Sequence, residues 1–284
     1  SIAVVSFRSL SKDISPFLIV ALKNSIALLL FFILFLCFSI PFWHGQFLLS
    51  DYIKIIISGC LGMGFADVLF IYTLSIIGAN RAAIVGAFES VVIYITSFFM
   101  LGTLLTFQQN IGLIIAVSGL LIIIYEKDFT DIDPRTKRIG LFLQLSAMCF
   151  SSFGIVLIKP LLNQIQFDTS LQLWVTVFRL IPGFIISWLV FLLQKNRLLL
   201  LTPLSNPRVL KKIFLSSSCG TFMALGFWII AYSKLEPPVA SMLCQTSVIF
   251  ILLLSVLFLK EKITSTRILS ILVVISGVTL VIFI

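Results

Sequence analysis

Long apolar runs follow one another along almost the whole chain, each ended by a short polar or proline-bearing break. Nine runs can be read: Ile14–Phe38, Ile53–Gly78, Arg81–Leu105, Gln108–Tyr125, Ile139–Asn163, Ser170–Gln194, Ile213–Lys234, Pro237–Leu259 and Thr264–Ile284. A helix needs about 20 apolar residues to cross the hydrocarbon core of a bilayer. Barrel strands would be about 10 residues long and alternate in polarity. These runs are apolar on all sides, so they predict transmembrane helices. The breaks at Ile40-Pro41, Gly78-Ala79-Asn80, Gln108-Gln109-Asn110 and Glu236-Pro237-Pro238 are turn and cap chemistry. Residues Ser1–Ser11 read as the second half of one more helix whose front precedes the sequence, and no cleavable signal pattern is visible.

The chain also resembles itself at an offset of about 157 residues. Lys23 falls against Arg179, Gly59–Gly64 against Cys219–Gly226, Ser90-Val91 against Ser247-Val248, and Leu105-Thr106 against Ile263-Thr264. Ser118-Gly119 and Ser276-Gly277 lie at matching depths in the last helix of each half. Five helices thus repeat as five. A unit with an odd number of spans must insert its second copy upside down. The expected fold is therefore an all-α integral membrane protein of about ten helices, the first truncated, arranged as two inverted five-helix repeats around a central cavity. The expected boundaries are a first repeat over 1–125, a linker over 126–138 and a second repeat over 139–284.

Composition narrows the class further. Of 284 residues, 60% are hydrophobic and 11% charged, with a mean hydropathy of +1.19. One soluble core could not bury that much apolar surface, and disorder requires the opposite balance. The cysteines Cys37, Cys60, Cys149, Cys219 and Cys244 are scattered, without CxxC spacing, and His44 is the sole histidine. No metal site or disulfide framework follows from them, and they read as small buried hydrophobes. The net charge of +9 comes from lysines and arginines that punctuate the apolar runs rather than forming a basic face. That excludes a nucleic-acid partner and sets topology instead. Fifteen of the 20 basic residues fall on one side, while Lys54, Lys159 and Lys234 fall on the other and Lys23 and Arg179 lie inside spans. The linker Glu126–Arg138 is thus expected in the cytoplasm and Ile284 at the outer side of the cell (inner) membrane.

The segment Glu236-Pro237-Pro238-Val239-Ala240-Ser241, followed by Leu259-Lys260-Glu261-Lys262-Ile263-Thr264, carries a family resemblance. With its ten-helix repeat plan, the chain resembles the drug/metabolite transporter superfamily, and within it the EamA-like members. The first half keeps the pattern loosely, with Thr103 standing where Glu261 stands in the second, and without a proline midway in that helix. The resemblance implies transport of a small organic solute through a cavity lined by the first four helices of each repeat, the last helix of each being peripheral.

A charge in mid-span costs at least about 2.5–3.5 kcal/mol, so each such residue needs an account. Lys23, Asp67 and Glu89 fall at one depth on three neighbouring helices, and Arg179 falls at a comparable depth from the other face. Asp67 and Glu89 are expected to hold a cationic or amino-bearing group, or a coupling proton, with Lys23 beside them. Arg179 is expected to take a carboxylate or phosphate-like group. The alternative is an internal ion pair of Lys23 that fixes helix packing alone. Tyr72, Trp228, Tyr232 and Gln245 are candidates to stack on and hydrogen-bond a flat solute. Trp43 and His44 read as interface-belt residues, and Glu261 as a turn or capping residue. The runs Gly59–Gly64 and Ser216–Gly220 permit close helix approach.

The function expected is secondary transport of an amino-acid-like, zwitterionic or cationic metabolite by alternating access. A nucleotide- or nucleoside-type exchanger is the alternative within the superfamily. An intramembrane enzyme finds only a faint echo in Gly62-Met63-Gly64-Phe65-Ala66-Asp67, without a partner aspartate, and a channel would show rings of charge or a filter loop. No Walker-type sequence is present, and no cofactor is expected. The expected partners are a small solute and membrane lipid, with monomer or dimer left open.

Overall fold

The computed structural model describes residues 2–78, 82, 85–86, 88–124, 133–195, 197–247, 250, 254, 257 and 265–282. Among these, ten helices form in chain order and no strand does. The first five are α1 (Ile2–Leu10), α2 (Pro16–Cys37), α3 (Leu49–Ile77), α4 (Glu89–Leu101) and α5 (Phe107–Ile124). The second five are α6 (Pro134–Gln164), α7 (Thr169–Leu192), α8 (Pro207–Lys234), α9 (Pro237–Cys244) and α10 (Ser265–Ile282), with a 3-10 turn at Leu199–Ser205. Asn80, Arg81, the linker residues 126–132, Val248, the turn Leu259–Thr264 with Glu261, and Ile284 lie outside the described residues.

Helix ends follow local chemistry. Proline occupies the first turn of α2, α6, α8 and α9, where its missing N–H costs nothing. The side chains of Asp133, Asp168 and Asn206 accept from the backbone N–H groups of Thr136, Leu171 and Arg208, capping α6, α7 and α8. At α5, Thr106 Oγ1 accepts from Gln109 N while Gln109 Oε1 accepts from Thr106 N, a reciprocal box. α4 stops at Gly102, whose φ of 67° is open to glycine at little cost, and α3 stops at Gly78 with φ 87°.

The inversion of the repeats is visible in how equivalent helices meet. α5 and α10 pack through Gly112 on Val281 and Gly277, Ala116 on Gly277, and Gly119 on Val274 and Ser270. Rising numbers on one helix meet falling numbers on the other, so the pair is antiparallel. Added Cβ atoms at Gly112 and Gly277 would come within 2.5 and 2.6 Å of the facing helix, which is why glycine stands there. α2 and α7 behave alike: Asn24 and Ser25 bond to Ser187 and Trp188, whereas the indole of Trp174 donates to the Phe42 carbonyl beyond the other end of α2.

α3 and α8 share an unusual feature. Each is a long helix interrupted by a π-helical segment, Cys60–Ala66 in α3 and Ser218–Met223 in α8, at positions related by the 157-residue offset. In such a segment the hydrogen bonds lengthen to i→i+5 and one carbonyl per bulge is freed. In α3 the Met63 carbonyl accepts from Asn24 Nδ2 at 3.4 Å.

Five helices, α2, α3, α6, α7 and α8, are long and apolar enough to cross a bilayer alone. Their outward faces carry Phe32, Leu36, Phe142, Phe153, Leu189 and Phe227, all exposed. A contiguous apolar exterior of this kind belongs in lipid. It also corrects the expectation for the cysteines. Cys37, Cys149, Cys219 and Cys244 are exposed and Cys60 is half-buried, all with free thiols: a thiol is apolar enough to stand on a surface that lipid covers, and Cys244 is exposed to the internal cavity instead.

Candidate functional site

Seven helices enclose a cavity of about 360 Å³ at the centre of the molecule. α1 contributes Val4, α2 Lys23, and α3 the π-helical residues Gly62, Met63 and Ala66 together with Asp67 and Phe70. Gly86 and Glu89 come from the α4 region, and Gln144 and Ser151 from α6. α8 supplies Thr221, Trp228 and Tyr232, and the α9 region supplies Ser241, Cys244 and Gln245. None of its described lining comes from α5 or α10.

Val4, Phe70, Gly86, Gln144 and Met148 come from the helix halves nearer the ends that the inter-repeat linker joins, while Trp228, Tyr232 and Ser241 come from the opposite halves of α8 and α9, so the cavity reaches past the middle of the bundle. Beyond it, the opposite halves are packed solid by Phe31, Phe35, Ile55, Ile158, Leu162, Trp174, Leu180 and Ile229. Over them sits an aromatic stack in which Trp174 lies 4.0 Å from Phe178 and 5.0 Å from Phe47, centroid to centroid. His44 meets Trp174 edge-on, and Trp43, largely exposed, stacks on Tyr52. One end of the cavity is therefore shut by apolar side chains.

Lys23 is buried, and its ammonium donates to Asp67 Oδ2 at 2.6 Å and to Asn24 Oδ1 at 3.3 Å. Asp67 is the first residue after the π segment of α3, so the bulge determines where its carboxylate points. Glu89 lines the same cavity beside Ser151 and makes no ion pair among the described residues.

Arg179 is 1% exposed and lies one layer behind the cavity. Its Nε donates to Ser58 Oγ at 2.9 Å, and that hydroxyl donates to the Gly154 carbonyl, so α7, α3 and α6 are tied together. The guanidinium carbon stands 5.6 Å from the Trp228 ring, a cation–π contact. A Cβ at Gly62 would come within 3.2 Å of Nη2. Nη1 and Nη2 have no hydrogen-bond partner, which for buried charged donors is costly.

The repeat explains that difference. The residue of α8 at the place of Asp67 is Ala224, so the second cation has no carboxylate of its own repeat. Of the other candidates, Trp228 and Tyr232 line the cavity with their rings 4.3 Å apart, and Gln245 lines it too. Tyr72 does not: it stacks on Phe17 at 5.4 Å on the outer side of α3 and is 37% exposed. Helices that are apolar all round carry too little amphipathic signal to say which face a tyrosine takes. Gln144, Ser151 and Thr221 were not singled out by the sequence reading. A glutamine in the middle of an apolar run was the available sign.

Lys159, expected among the outer-side charges, is instead buried and donates to the carbonyls of Tyr232 at 3.0 Å and Leu235 at 2.7 Å. Its Nζ satisfies the last carbonyls of α8, where a helix end is electronegative. Arg8 does the same for α3, donating to the Ser75 carbonyl at 2.7 Å. Ser75 and Tyr232 are related by the same 157-residue offset.

A model of the EamA-like transporter family matches residues 1–125 and 138–283. A crystal structure of a protein sharing 14% sequence identity has a TM-score of 0.75, covering 99% of this chain and 93% of that one, which shows a common fold. No curated protein matches the sequence.

Proposed function

This chain belongs to the EamA-like transporter family, a multi-pass group of the drug/metabolite transporter superfamily, and on that footing we propose that it is a secondary carrier for a small zwitterionic or cationic solute. The observation that carries the reading is a central cavity whose wall holds Glu89 without a counter-ion among the described residues, with Arg179 behind it lacking partners among them for both Nη atoms. Buried groups of this kind are retained in a membrane protein at sites of passage or binding. Glu89 takes the positive end of the solute. Arg179, reached past Gly62 and Trp228, takes a carboxylate by the paired N–H geometry that suits guanidinium. The rings of Trp228 and Tyr232 flank the body of the solute.

With most positive residues on the linker side, that side is cytoplasmic and the membrane is the cell membrane. The aromatic stack around Trp174 then closes the outer end of the molecule above the cavity. Alternating access exchanges that closure for one at the other end. The two third helices, α3 and α8, bend at their π segments to do so.

Uptake into proteoliposomes tests the reading. A carrier gives saturable flux with counterflow, and a pore gives linear flux. Glu89→Gln is expected to abolish uptake. Uptake that survives that substitution at every pH would refute the site.

A further inference from the structure

Gln144 is 3% exposed, lines the cavity, and its Oε1 has no hydrogen-bond partner. It lies on the face of α6 that also presents Ala147, Met148 and Ser151 to the cavity, the spacing of one helical stripe. Its amide is held against Gly86, where a Cβ would come within 3.3 Å of Nε2. Gly86 precedes Glu89 by three residues and both line the cavity, so the amide and the carboxylate belong to one stretch of its wall. The N–H bonds of an ammonium diverge at the tetrahedral angle, so two acceptors that each receive a hydrogen bond of about 2.8 Å from it stand about 4.6 Å apart. A buried acceptor left unmatched costs about 1–3 kcal/mol, so its natural complement is a donor brought by the solute.

We infer that Gln144 is a specificity-determining residue that, together with Glu89, recognises the N–H groups of a primary ammonium and rejects nitrogen that is fully alkylated. This inference rests on the solute reading given above. A carboxylate alone attracts any cation, and an aromatic face would prefer a quaternary one. The amide oxygen is what distinguishes the two, because a quaternary ammonium offers it no donor while displacing the water that otherwise would.

The test uses the purified full-length chain in detergent and isothermal titration with the common amino acids and their N,N,N-trimethyl counterparts. At least one free amine is expected to bind, and its trimethyl counterpart about 10- to 100-fold more weakly. Gln144→Met, similar in length but without the acceptor, is expected to erase at least tenfold of that preference. Gln144→Glu, which restores an acceptor, is expected to restore it. Glu89→Gln is expected to abolish binding of both. If Gln144→Met leaves the ratio unchanged while Glu89→Gln abolishes binding, Gln144 is satisfied by water alone, and the inference falls while the solute reading stands. If binding survives Glu89→Gln, the solute reading falls and takes this one with it. Failure of the whole panel to bind the wild-type chain also overturns the inference. Circular dichroism melting of Gln144→Met and Gln144→Glu separates a binding defect from a folding defect, and two unfolded variants would show that the amide serves packing and overturn the inference.

Discussion

The two repeats carry a cation at the same place on the second helix and treat it in opposite ways. In the first, Lys23 meets Asp67 at 2.6 Å across a helix–helix contact. In the second, Ala224 stands at the place of Asp67, and the Nη atoms of Arg179 have no hydrogen-bond partner among the described residues. The fold tolerates one neutralised charge and one unneutralised charge at pseudo-equivalent sites, so the pairing is not a requirement of the architecture. On the reading proposed above, the lysine pair serves assembly of α2 on α3, and the unmatched arginine is the group available to a guest.

Asp67→Asn strikes that contrast hardest. It replaces the carboxylate beside the buried Lys23 ammonium by a neutral amide, so the charge keeps only neutral oxygens, and the melting curve in detergent is expected to show a loss of about 3 kcal/mol. Arg179→Met comes next and should separate the two roles. Removing an unpaired buried charge leaves stability within about 1 kcal/mol of wild type or above it, while uptake falls at least about 100-fold, the worth of a paired guanidinium contact. Ala224→Asp, which restores the carboxylate the second repeat lacks, is expected to raise the melting temperature and block uptake by a similar factor. A variant with both higher stability and full uptake would break the comparison. The helix-end cations give a smaller effect: Lys159→Met should cost about 1–3 kcal/mol and Arg8→Met about 1 kcal/mol by denaturant titration, since the first strands two carbonyls and is buried. Smallest is a labelling difference. Cys244, in the cavity wall, should be protected from a small thiol reagent by bound solute, whereas Cys37 and Cys149 should not, as read by peptide mass spectrometry.

The helices and their repetition were legible because each span is a continuous apolar run ended by proline, glycine or asparagine chemistry. Lys23, Asp67, Glu89, Trp228, Tyr232 and Gln245 all line the cavity; for the three charges the depth in the span was the readable sign, since a charge in mid-span has few other places to go. The π segments were not legible. Cys60–Ala66 and Ser218–Met223 read as small-residue packing surfaces, and the register change depends on what each helix packs against. Lys159 escaped for a related reason: near the end of α6 it could as well have reached outward, and only the folded position of α8 turns it inward.

α5 and α10 hold each other through Gly112, Ala116, Gly119 and Gly277, and meet the remaining helices at a small apolar seam formed by Leu105, Leu113, Met242 and Val281. A pair wedded so closely behaves as one rigid unit. In the carrier proposed above it is the natural fixed post against which the cavity-lining helices would turn, so that neither the bilayer nor a second subunit has to supply the fulcrum.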